Sequence, residues 1–245
     1  GLSLAAMDRS RFPTRICDRA RHAAAALATA LLLGGCGSGD DGTLDVALIG
    51  APAEVFADDL RLSPVAQHVR AASQSGLVTF DAQGEVVPAL AETWLPTEDG
   101  MSYVLRLRDI PWPDGSVMTA QSARTALLAA MDRLEGTSLA QDLSPIAEVR
   151  AMAGRVIEIR LSVPEPDLLQ LLAQPELALR HSGGETGPMV LTQRPESEDG
   201  VERGTAQLDF RPPVERGLPM DEDWQEDVQP VDIAAVSAAE AVAMF

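Results

Sequence analysis

Few residues in this chain could do covalent chemistry. Among its 245 residues are two cysteines, Cys17 and Cys36, and three histidines, His22, His68 and His181. A zinc hydrolase needs two histidines one helical turn apart with a glutamate between them, and an acyl-transfer enzyme needs a serine raised on a glycine elbow. Neither spacing occurs, and the histidines lie far apart in the sequence. Carboxylates are plentiful, 37 acids against 19 basic residues. Hard cations take such ligands, and the runs Glu196-Ser197-Glu198-Asp199-Gly200 and Asp221-Glu222-Asp223 supply them. Yet Asp221, Asp223 and Asp227 lack the glycine that turns a calcium loop. These runs therefore read as solvated surface. No enzyme, no metal and no cofactor is expected. The acidic balance also argues against nucleic acid as a partner, because binding phosphate backbones rests on Lys and Arg. The basic residues are all Arg, which reads as composition bias rather than function.

Cys36 is the residue with an assignable chemistry. Arg9, Arg11, Arg15, Arg19 and Arg21 form a basic start, with Met7 read as the initiating residue. Ala23 to Leu33 then form an apolar stretch of eleven residues. A helix needs about 20 apolar residues to span a bilayer, so this stretch has the length of a signal-peptide core instead. It ends in Leu33-Gly34-Gly35-Cys36, which resembles the bacterial lipobox. Small residues let an extended backbone enter a peptidase cleft, and the thiol takes the diacylglyceryl group. Residues 1–36 are thus expected to be a lipoprotein signal with its lipidated Cys36, and residues 37–43 a flexible tether. Removing the leader leaves 14 Arg against 35 acids and no free thiol or disulfide.

The remainder, residues 44–245, must supply the elements. Leu44 to Ile49 reads as an apolar strand closed by Gly50. Residues 63–76 carry Val65, Val69 and Ala72 at helical spacing and end at Gly76. Leu77 to Phe80 is strand-like, Asp81 to Gly84 a turn, Ala91 to Leu95 a further extended run, and Glu98-Asp99-Gly100 a turn. Ser102 to Arg108 alternates, with Tyr103, Leu105 and Leu107 on one face and Arg106 and Arg108 on the other, as in a half-buried antiparallel strand. Thr119 can cap a helix from Ala120 to about Leu134, stopped by Gly136. Val156 to Leu161 alternates again, and Pro166 to Leu172 opens another helix. Val231 to Val236 reads as a strand, and Ser237 with Glu240 forms a capping box for a last helix.

The order of short motifs is specific. Gly76 to Trp94 reads G-L-V-x-F-D-x-x-G-x-V-V-P-x-L-A-E-x-W, and Asp99 to Ser122 continues with D-G-x-x-Y-x-L-R-L-R and W-P-D-G-S-x-x-T-A-Q-S. Val156 to Leu172 and Gly184-Glu185-Thr186-Gly187-Pro188-Met189 follow. Over residues 44–195 this series resembles the extracytoplasmic solute-binding proteins of ABC importers that take oligopeptides, dipeptides and nickel (family 5). The resemblance implies an α/β fold of the periplasmic binding protein type, class II. It is a two-lobe clamp, of which residues 44–245 would be the first lobe with its inserted subdomain. The final helix runs into Phe245 without a C-cap, so the chain reads as an N-terminal fragment that stops before the second lobe.

The resemblance further implies function. The protein would be the lipid-anchored, monomeric binding component of an importer in the periplasm or cell envelope, passing its solute to an ABC permease in the membrane. The family's cleft positions fall at Leu62, Ser63 and Pro64 after the first strand, and near Leu139 after the long helix. Met189 stands where the family has a tyrosine in its G-T-G-P-Y loop, and Gln74-Ser75 where it often has Tyr-Glu. The ligand is left open, with a peptide as the default because main-chain hydrogen bonds can hold it. The alternative is a non-transport lipoprotein that uses the same fold as an interaction or signalling module.

Overall fold

The computed structural model describes residues 42–57, 62–182, 184–193, 204–220, 222–226 and 228–243. In chain order the elements are β1 (Leu44–Ile49), α1 (Pro64–Ser73), β2 (Val78–Phe80), β3 (Val86–Pro88), β4 (Ala91–Pro96), β5 (Ser102–Leu107), α2 (Ala120–Arg133), α3 (Ser138–Asp142), β6 (Ile146–Ala151), β7 (Val156–Leu161), α4 (Leu168–Leu172), β8 (Met189–Gln193), β9 (Thr205–Phe210), β10 (Val231–Val236) and α5 (Ala238–Ala243). Short 3-10 turns lie at Pro52–Phe56, Pro175–Leu177 and Pro213–Arg216.

Two four-stranded sheets carry the fold. The base sheet runs β1-β10-β9-β8. Its first pair is parallel, Leu44 opposite Val231 through Ile49 opposite Val236, so the second sheet and its helices lie in the long connection between them, which returns through β8 and β9. The other two pairs are antiparallel. One face of the base sheet presents Ala206, Leu208, Ile233 and Ala235, which pack with Val55 and with Val65 and Val69 of α1. Helix α1 starts where Ser63 Oγ accepts the Ala66 amide at 3.2 Å and Pro64 presets the first turn.

The second sheet runs β4-β5-β7-β6. Its inner face places Leu105 opposite Ile157 and Tyr103 opposite Ile159. These pack against Ala123, Leu127 and Ala130 of α2 in the larger core. Its outer face is charged. Arg106 meets Glu92 at 2.7 Å, Arg150 meets Glu158 at 3.4 Å, and Arg160 meets Glu148 at 3.6 Å. Exposed pairs of this kind contribute at most about 1 kcal/mol each. Their role is to keep one face wet while the other packs. β2 and β3 form a separate hairpin, turned by Gly84 at φ 80°.

Three local differences from the sequence reading have physical causes. Helix α1 ends at Ser73, with Gln74 already extended, rather than at Gly76. Gly76 is a close-approach residue: a Cβ there would sit 3.1 Å from the Val78 carbonyl oxygen and 3.2 Å from that of Leu172. The helix expected from Pro166 starts at Leu168, because the Leu168 amide bonds Glu165 in a turn first. β6, β8 and β9 were not expected as strands. β9 fills the middle of the base sheet between two acid-rich segments.

Candidate functional site

A groove of about 450 Å³ opens where three segments of the chain meet. The first is Leu62, just before α1. The second is the connection between α2 and α3. Here Gly136 adopts φ 83°, which favours glycine. Thr137 closes this connection by donating its hydroxyl to the Leu134 carbonyl at 2.7 Å and accepting the Ala140 amide at 3.2 Å. That hydroxyl is therefore committed to holding the loop. Leu134 is buried and Leu139 half-buried on the groove wall. The third segment is the 3-10 turn Pro175–Leu177, which sets Glu176 at the rim while Leu177 anchors it in the core.

Among the described residues, Glu176 is the one ionisable residue that lines the groove. An ionised carboxylate only accepts hydrogen bonds. Beside Leu62, Leu134 and Leu139 it makes a site with an apolar wall and one anionic acceptor. Such a site can hold an apolar side chain and an ammonium or amide donor next to it.

The sequence-derived site residues divide in two. Leu62 and Leu139, 77 positions apart, come together in this groove. Ser63 and Pro64 do not line it. Ser63 is spent on capping α1, and the Pro64 carbonyl is met by Nδ1 of His68. Glu176 was not anticipated. Its signal, an acid directly after a proline that starts a tight turn, is too common to single out. Cys36, its leader and the acid run 196–200 lie outside the described residues, as do Asp221 and Asp227. Gly42 and Thr43, at the end of the expected tether, are half-buried.

A second cluster has the residue types of a hydrolytic triad without its geometry. His181 stacks on Trp112 with ring centroids 4.7 Å apart. Its Nε2 faces both Ser116 Oγ at 3.3 Å and Asp114 Oδ2 at 3.5 Å. A relay needs the two ring nitrogens to serve the nucleophile and the acid separately. Here one nitrogen faces both, and Ser116 itself donates to Asp114 at 2.6 Å. Trp112 Nε1 donates to Ser122 Oγ at 2.9 Å. The cluster pins the W-P-D-G-S loop to the start of α2. Hydrogen bonds from Ser116, Ser182 and the Ser116 amide, with His181 adding a smaller electrostatic contribution, hold the Asp114 carboxyl down to about 2. Among the described residues no group of three or more His, Cys, Asp and Glu comes together as a metal site would require.

Residues 85–209, from the β2–β3 turn to β9, match the sequence profile of bacterial extracellular solute-binding proteins, family 5 Middle. The chain belongs to this family. Over 100 residues it is 30% identical to the nickel-binding periplasmic protein of Escherichia coli (strain K12), covering 40% of this chain and 19% of that protein. Among solved structures it is similar to a periplasmic oligopeptide-binding protein from Borrelia burgdorferi, with a TM-score of 0.62 and 19% identity, over 81% of this chain and 44% of that one. It is similar also to a PBP from A. tumefacien R10 in complex with agropinic acid, with a TM-score of 0.60 and 20% identity, over 79% and 40% of the two chains. These structural likenesses give the fold, part of a lobe of the family 5 periplasmic binding architecture. The chain spans about a fifth of the curated relative and about two fifths of the solved structures.

Proposed function

We propose that this family 5 chain is part of the substrate-binding component of an ABC importer. It captures a short peptide or similar small solute and delivers it to a membrane permease. The observation that carries this reading is the groove that joins Leu62, Leu139 and Glu176 from three distant segments. Its leucines suit an apolar side chain, and Glu176 suits the amino end of a peptide. A peptide fits this lining better than a bare divalent cation, which wants several oxygen or imidazole ligands. Cys36 anchors the protein to a membrane of the cell envelope through lipid, and it works there as a monomer.

The test is calorimetric titration of the natural gene product with short peptides. Saturable binding of peptides with a free amino end is expected. Glu176→Gln, which preserves shape, should weaken it about tenfold by removing a charge-assisted hydrogen bond. The same peptides acetylated at the amino end should bind weakly to both forms. Equal binding by the parent and Glu176→Gln would remove Glu176 from the site. No peptide uptake at all would sink the peptide reading.

A further inference from the structure

A separate cavity of about 240 Å³ lies among the β2–β3 hairpin, the segment after β5, the loop before β8 and the turn after β9. Two arginines line it. Arg108 is fixed in place, its Nε donating to the Ala89 carbonyl at 2.7 Å and its Nη1 to the Gly217 carbonyl at 3.2 Å. Arg216, from the 3-10 turn Pro213–Arg216, brings the second guanidinium. Its Nε is buried and has no hydrogen-bond partner. Among the described residues no carboxylate forms an ion pair with Arg108 or Arg216. The cavity's own acid, Glu215, is turned to Arg211, 3.5 Å away. Burial, then the charges of Arg211 and Arg108, push the Arg216 guanidinium below its usual range.

This arrangement is costly as it stands. A guanidinium with a buried, unsatisfied donor loses hydration without compensation, and like charges beside it add repulsion. An anion between Arg108 and Arg216 would offset the repulsion between the two guanidinium groups and give them an acceptor. The walls narrow the choice of anion. Leu90, Ile110 and Leu218 are apolar, so an organic body suits them better than water-loving phosphate. The hydroxyl of Thr186 is already used by the Ser75 amide and the Leu179 carbonyl, so the arginines carry the recognition. Guanidinium forks match the planar carboxylate.

We propose that this cavity is a binding site for a small organic carboxylate, distinct from the solute groove. It stands independently of the transport reading, since no residue is shared with the groove.

Benzoate is the probe, with neutral benzamide as its control, in an NMR titration of the chain. Saturable shifts are expected at residues 88–90, 108–110, 186–188 and 215–218 with benzoate, and none with benzamide. Arg216→Gln should weaken benzoate binding about tenfold. Because Arg216 Nε has no hydrogen-bond partner to lose, this variant is expected to keep the fold, and without benzoate its melting temperature should equal or exceed the parent's. Benzoate should then raise the melting temperature of the parent alone. Absence of saturable shifts, equal shifts with benzamide, or unchanged affinity in Arg216→Gln would overturn the site.

Discussion

Asp114 shows how one loop residue gains a strong electrostatic role. It accepts from the Ser116 amide at 2.9 Å and the Ser116 hydroxyl at 2.6 Å, and it faces His181. Its folded pKa of about 2 lies below the ordinary 3.8. The carboxylate's contribution is therefore complete above the unfolded value and is lost as pH falls from there through about 2. Melting curves between about pH 4 and pH 2 should fall more steeply for the parent than for Asp114→Asn. Parallel curves would show that the loop does not sense this proton. Gly187 is the second residue with a sharp expectation. A Cβ there would lie 2.2 Å from the carbonyl carbon of Ser73 and 2.4 Å from the Gln74 nitrogen. Both are backbone atoms and cannot step aside. Gly187→Ala should cost on the order of 3 kcal/mol in chemical denaturation. A loss below about 0.5 kcal/mol would mean the α1 terminus shifts freely.

Among the elements, α2 is the most fully specified by its own residues. Thr119 accepts the Ser122 amide at 3.1 Å and Ser122 answers by accepting the Thr119 amide at 3.0 Å. Thr119→Ala should lower stability by about 1 kcal/mol, and a neutral result in urea titration would show that packing alone sets this end. Local pattern also made β1, β5, β7 and β10 legible, since their apolar residues alternate or run unbroken between turn residues. β6 was not legible, because a bulge between Ile146 and Glu148 shifts its register and breaks the two-residue period. β9 does alternate, Ala206, Leu208 and Phe210 against Thr205, Gln207 and Asp209. Its acid-rich flanks hid that signal, and only pairing with β8 and β10 makes the segment central.

At the scale of the whole molecule, the anchor is the expectation furthest from the fold. A cell expressing the natural gene with Cys36→Ala should show no fatty-acid labelling of this protein, while the parent incorporates label. Labelling that persists in the variant would remove Cys36 as the lipidated residue. The residues alone determined the elements with strong caps and periods and the absence of a zinc or serine-hydrolase spacing, because those follow from neighbours within a few positions; the family resemblance came from the order of the motifs along residues 44–195. They offered Leu62 and Leu139 as expected cleft residues only through resemblance. The tertiary structure decided the rest. It joined Leu62 and Leu139 with Glu176 in one groove, withdrew Ser63 into a helix cap, and set two arginines around one cavity. Such contacts depend on long-range sheet pairing and on close approaches such as Gly187 to Ser73. Neither leaves a local period in the chain, so no reading of neighbouring residues could reveal them.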